Sequence, residues 1–274
     1  MARAIVLKEV EHIRQKIPGV GVVKLHYMLQ QTMQVHHIKM GRDKLYDLLG
    51  FYGLLIRRKR RRKPITTDSD HPFYKYPNLI GGLQISSPNQ VWVSDITYLR
   101  VNAGFCYLSL ITDAYSRKIV GYHLAPDLKS DGPVAALHMA LKAHRTERTS
   151  MLIHHSDRGL QYCCSQYTAL LRKYHIAISM TQNGDPYENA LAERINQTLK
   201  YDFNLKNNFK SIEELTLRVD DAIRYYNGLR PHLSLDLSTP NHVHQLSPNS
   251  YKQAGMNPPL EKSQPVFTVQ PITN

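Results

Sequence analysis

Residues 90–101 read QVWVSDITYLRV. Val91, Val93, Ile96, Tyr98 and Val101 are strand-forming residues, and one acid, Asp95, interrupts them. A carboxylate inside an apolar strand is costly to bury unless it is paired or bound to a cation, so Asp95 is the first candidate functional residue. Ala103-Gly104 turns the chain, 105–111 (FCYLSLI) reads as a second strand, and 117–124 (RKIVGYHL) as a third. Links this short predict an antiparallel meander.

Downstream the pattern alternates. Residues 133–144 have the spacing of an amphipathic helix, 151–155 of a short buried strand, 166–174 of a helix and 176–180 of a strand; a long helix is expected over 188–201. The order βββαβαβα predicts an α/β fold with a mixed sheet and flanking helices. Ser211 opens another helix through Tyr226, with Glu213 and Glu214 in its first turn. The last ~30 residues are rich in Pro, Asn and Gln and are expected to be poorly ordered.

Upstream the texture is helical and basic. Ile5, Val6, Val10, Ile13 and Ile17 sit at helical spacing over 4–17, and Pro18-Gly19-Val20-Gly21 stops that helix. Residues 22–29 form a second, with Leu25, Met28 and Leu29 on one face. Gly41-Arg42-Asp43 opens a third, with Leu45, Leu48 and Leu49 as its apolar side, ended by Gly50. Three short helices predict a small all-α domain of helix-turn-helix type. Arg57, Arg58, Lys59, Arg60, Arg61, Arg62 and Lys63 follow without a break. Such a block repels itself until it meets phosphate. Residues 64–88 hold four prolines and little periodicity, the mark of a linker. The expected organisation is a basic DNA-binding domain over 1–56, a linker over 57–88, a catalytic core over 89–204, and a C-terminal helix and tail over 205–274.

Charge supports that division. The 274 residues carry 35 Lys and Arg against 22 Asp and Glu, a net charge of +13. Fifteen of the basic residues and only four of the acidic ones fall in the first 63, a footprint for a polyanion. A hydrophobic fraction of 42% excludes global disorder. No apolar run approaches the ~20 residues of a membrane helix, and charges through the N-terminal apolar stretch exclude a signal peptide. Three cysteines, two of them adjacent, form no disulfide framework and imply a reducing, cytosolic setting.

Two more acids complete a constellation. Asp157 follows the short strand 151–155, at a strand end, where α/β sites gather. Glu193 lies in the helix ENALAERINQTLK. Carboxylates from two strands and a helix are suited to two Mg²⁺ ions, which favour oxygen ligands, and two such ions activate a nucleophile and stabilise the leaving oxygen of a phosphodiester. Asn189, Glu193, Asn196 and Lys200 share one helix stripe. Glu188 is an alternative third ligand, but it lies ~140° around the helix from Glu193 and reads better as an acid at the helix N-terminus. Asp113 reads first as a turn residue, Trp92 as core, and the adjacent His154 and His155 as packing residues. Cys163-Cys164 lacks zinc-site spacing. Arg158 and Gln161 remain open between DNA contact and local pairing.

The 35 residues between Asp157 and Glu193, with Asp95 upstream, resemble the Asp-Asp-(35)-Glu triad of retroviral-type integrases and insertion-sequence transposases. WVSDITYL, YLSLITDAYSRKIVGY, HHSDRGLQY, NGDPYENALAERINQTLK and YNGLRPHLSLDLSTP resemble the second-frame (OrfB) protein of the insertion-sequence-three transposase family, over about residues 89–240. The resemblance implies a ribonuclease-H-like core, Asp95, Asp157 and Glu193 as catalytic metal ligands, and Mg²⁺ dependence, with Mn²⁺ as a substitute. It implies cutting and joining of DNA at element ends and self-association on DNA in the bacterial cytoplasm, at the nucleoid. Lys200 matches the family's basic residue that touches DNA near the site, and Asn196 on the same stripe is placed with it. The front lacks the His₂Cys₂ zinc domain of retroviral integrases. It also lacks a long heptad run, so an upstream-frame helix-turn-helix subunit or fusion is expected as a partner. Two other readings stand beside this one: a non-catalytic DNA-binding regulator or decayed transposase that kept the fold, and a ribonuclease-H-like nuclease that cuts without joining.

Overall fold

The computed structural model describes residues 1–56, 72–144, 151–182 and 189–246. Its centre is a mixed sheet. Strands β1 (Val91–Val101), β2 (Gly104–Asp113) and β3 (Ile119–Ala125) form the antiparallel meander, with Asp95 opposite Leu110 across β1 and β2. β4 (Ile153–Ser156) and β5 (Ala177–Met180) add in parallel on the other side of β1, giving the order β3-β2-β1-β4-β5. A two-residue strand, β6 (Asn208–Phe209), which the sequence pattern did not mark, pairs with the far end of β1. With its flanking helices this is the ribonuclease-H-like architecture.

Alternation along β1 builds two layers. Trp92 and Ile96 pack with α5 (Asp131–Ala143) and α7 (Ser165–Lys173). Leu99 and Val101 face α8 (Ala190–Asp202) and α9 (Ile212–Gly228). Gly121 on β3 shows how close the first layer lies: a Cβ built there would stand 2.2 Å from the Ala136 carbonyl oxygen of α5. Backbone cannot step aside as a side chain does. Gly121→Ala is therefore expected to cost about 3 kcal/mol or more, read as a lower urea midpoint at unchanged slope; an unchanged midpoint would show that α5 slides freely.

The N-terminal segment contains four helices rather than the three expected: α1 (Ala2–Lys16), α2 (Val22–Met28), α3 (Gln30–Val35) and α4 (Arg42–Phe51). The run QQTMQV of α3 buries only Met33, too little periodicity for the sequence to separate it from its neighbour. The apolar faces of these helices continue into the α8–α9 layer, so Val6, Leu25 and Leu45 belong to the same cluster as Leu199 and Leu215. The junction is a main-chain contact. Gly19 N–H donates to the Asp202 carbonyl at 2.8 Å, and a Cβ on Gly19 would lie 2.3 Å from the Tyr201 carbonyl oxygen.

The stretch YNGLRPHLSLDLSTP (226–240) packs on the core. Asn227 grips edge strand β3 by accepting from Ile119 N–H and donating to its carbonyl, both at 2.9 Å. Arg230 donates to Asp202 Oδ2 through Nε at 2.9 Å and Nη2 at 2.7 Å, with both side chains buried. His232, its pKa lowered to about 2 by burial and the Arg230 charge, stays neutral, and its Nε2 accepts from Arg230 at 3.2 Å. Thr239 caps α10 (Pro240–Gln245). The expectation of a poorly ordered end concerns residues 247–274, which lie outside the described ones. Among the described residues no helix is long and apolar enough to cross a membrane.

Candidate active site

The sheet register brings two of the predicted acids together. β1 and β4 run parallel with Val91 beside Ile153 and Val93 beside His155. Two residues further along each chain come Asp95, still within β1, and Asp157, just past the end of β4. α8 lies against β1 and carries Glu193 in its first turn. The stripe expected on that helix is the one that faces the strand. Asn189 donates to the Ser94 carbonyl at 3.1 Å, Asn196 donates to Asp95 Oδ2 at 2.8 Å, and the Lys200 ammonium lies 4.6 Å from the centre of the Tyr98 ring. Asn196 thus meets the carboxylate itself, a contact that its place on the stripe allowed but did not specify. Residues 57–63, with the seven basic side chains, and Glu188 lie outside the described residues.

The electrostatics suit a cation. Asp95 is partly exposed as a residue, but burial is the main cause that raises its carboxyl to about 7; the charge of Asp157 adds to the rise, and that of Glu193 adds less. Hydrogen bonds from Asn196 and the Ile96 N–H pull it back down. The folded pKa lies above the unfolded one, so the proton is held more tightly in the folded state. The associated stability is full below about pH 4 and is lost as pH rises through about 7. A divalent cation would offset this repulsion, and three carboxylates are the hard oxygen donors such an ion prefers. The donor set therefore fits in charge and in ligand type. Among the described residues, however, no three His, Cys, Asp or Glu side chains stand as a preformed ligand cluster. Asp157 is engaged in its own turn, where its Oδ1 accepts from Gly159 N–H at 2.9 Å.

Lys200 sits two turns beyond Glu193. Burial lowers its pKa, while the charge of Asp95 raises it. Its ammonium is held over the Tyr98 ring at cation–π distance.

The remaining candidates have structural partners. His154 is buried with Nε2 2.9 Å from the Tyr167 hydroxyl, and burial lowers its pKa to about 3. His155 Nδ1 lies 2.8 Å from Ser179 Oγ. Asp113 is fully buried and accepts from Asn89 N–H, Ser116 N–H and Ser116 Oγ at 2.6–2.7 Å, closing the β2–β3 turn. Gln161 donates to the Leu128 carbonyl. Trp92 is core, and Cys163 is buried against Met180.

An acid in mid-strand, a second just past the end of the neighbouring parallel strand and a third on the helix that packs on β1 make the arrangement of an integrase-type core. Comparison with known families agrees: the Integrase core domain matches residues 86–186, and a second Integrase core domain matches 174–240. The chain is 34% identical over 77% of its length to the Insertion element IS600 uncharacterized 31 kDa protein of Shigella sonnei, covering 78% of that protein. It is 31% identical over 80% of its length to the Transposase for insertion sequence element IS904 of Lactococcus lactis, covering 85% of it. It is 37% identical over 54% of its length to Transposase InsF for insertion sequence IS3A of Escherichia coli, covering 51% of it. The chain belongs to the insertion-sequence-three family of transposases.

Proposed function

We propose that Asp95, Asp157 and Glu193 form the divalent-metal site at which this transposase cuts the ends of its insertion sequence and joins them to target DNA. The observation that carries this reading is the register of the parallel strands β1 and β4, which pairs Val93 with His155 and so puts Asp95 and Asp157 each two residues further on, with α8 across them. A pair of Mg²⁺ ions, or Mn²⁺ in their place, supplies activation of the attacking oxygen and stabilisation of the leaving one when bound.

The chain's own groups supply the rest. The three carboxylates would hold the cations, and Asn196 fixes one oxygen of Asp95 by a 2.8 Å hydrogen bond. Lys200 binds a phosphate of the element end beside the scissile bond, held in place by Tyr98. Water first attacks the phosphodiester at the element end, whose 3′-oxygen leaves as a free 3′-hydroxyl; that hydroxyl then attacks a target phosphodiester in line, and a target 3′-oxygen leaves as the new bond forms. No covalent protein–DNA link is needed, so no Ser or Tyr nucleophile is assigned. Residues 1–56 bind element DNA, and Arg57, Arg58, Lys59, Arg60, Arg61, Arg62 and Lys63 track phosphates between the two regions, contacts that position without reading sequence. The protein self-associates on DNA with an upstream-frame helix-turn-helix partner, in the bacterial cytoplasm at the nucleoid.

The test supplies an element end pre-cut to a 3′-hydroxyl, together with labelled target duplex and Mg²⁺. Joined product is expected, and it should vanish with chelator. Cutting of uncut ends without joining would leave a nuclease, and binding without either reaction a regulator.

A further inference from the structure

Ser94, the residue before Asp95, is buried on the opposite face of β1; its hydroxyl meets the helical turn that follows Asp157 and its carbonyl meets the start of the helix that carries Glu193. Its Oγ lies 3.0 Å from the Leu110 carbonyl oxygen and 2.9 Å from the Tyr162 hydroxyl. A carbonyl only accepts, so Ser94 gives its one proton to Leu110 and accepts from Tyr162. Tyr162 is fully buried in α6 (Leu160–Cys163), the single turn that follows Asp157. Gly159 joins the two: its N–H caps Asp157, and its carbonyl accepts from Tyr162 N–H at 2.9 Å. On the main chain, the Ser94 carbonyl accepts from Asn189 at the start of the helix that carries Glu193.

We infer that Ser94 is the common fastening point that registers the three acids, and that Tyr162 is a positioning residue for Asp157 acting through it. This rests on the metal-site reading above. The Tyr162 ring closes a rigid path from Asp157 through α6 to Ser94 and one peptide on to Asp95. The hydroxyl contact ends that path, so it sets how far apart the two carboxylates stand before any cation arrives. Partners one step removed from a ligand govern affinity by orienting it, commonly by 10–100-fold.

The experiment measures Mn²⁺ binding to the full chain by electron paramagnetic resonance, without DNA and without turnover. Tyr162→Phe keeps the ring and removes only the hydroxyl, so a loss of affinity on the order of 10-fold is expected. Ser94→Ala should lose a similar factor, and the double variant no more than the worse single one, because both changes break the same path. Ile178→Val, in the same buried cluster, serves as a control with a matched loss of stability and should bind Mn²⁺ like the parent. Tyr162→Phe within twofold of the parent, or losses that multiply in the double variant, would overturn the inference. A parent chain that binds no Mn²⁺, or binds it equally well after Asp157→Asn, would instead sink the metal-site reading and the inference with it.

Discussion

Asp95→Asn, Asp157→Asn and Glu193→Gln are each expected to reduce end cleavage and strand transfer by at least about 10³-fold, the scale seen when one charge-stabilising group is removed from a preorganised site. Each change keeps the side chain's size and removes one negative charge. DNA binding in a gel-shift assay should survive, because none of these substitutions alters residues 1–63 or Lys200, the groups proposed to grip DNA. Asp95→Asn is expected to raise stability near neutral pH, since it removes a carboxyl that burial and its acidic neighbours hold at about 7. Cleavage at the parental rate by Glu193→Gln would end its assignment and move attention to Glu188. A thermal midpoint that fell in Asp95→Asn would contradict the electrostatic account even if activity vanished.

Arg230→Ala should be the most damaging change outside the acids. It leaves the Asp202 carboxylate, 1% exposed, without its two guanidinium bonds. Removing one partner of a buried pair costs about 3–5 kcal/mol, mostly for the charge left behind, a large part of a domain's ~5–15 kcal/mol. The unfolding midpoint should fall by on the order of 10 °C. Arg230→Lys keeps the charge but loses the fork that reaches one oxygen twice, so an intermediate loss is expected. Asp202→Asn combined with Arg230→Met should recover much of the deficit, because no unpaired charge remains. If the double variant were as unstable as Arg230→Ala, the contribution would come from packing against Tyr226 and not from the ion pair.

Much of this arrangement is written locally. The alternation around Asp95 and the short links after it specify the meander, and the helical stripe of Asn189, Glu193, Asn196 and Lys200 is the one found facing β1. What stayed hidden is non-local. Nothing near Ser94 marks it as a hub, because its partners Tyr162 and Asn189 are 68 and 95 positions away. Arg230 lies in a stretch that resembles the family, but nothing local pairs it with Asp202, 28 positions earlier. β6 escaped notice because two residues carry no period, and α3 because its six residues bury one side chain. Gly19 looked like a helix stop, which it is; that it also abuts the main chain at the end of α8 is a fact of packing no local pattern encodes.

Strand parity gives β1 a protection of its own. Odd positions 91, 93 and 95 look toward α8, and even positions 92, 94 and 96 look toward α5 and α7. A slip of one residue against β2 would exchange the two sets at once. It would drive Asp95 into the apolar layer beside Trp92's site and turn the Trp92 indole toward α8. A one-residue misalignment is therefore never cheap. A chain that has closed its hydrophobic layers has, by the same event, aimed its acid.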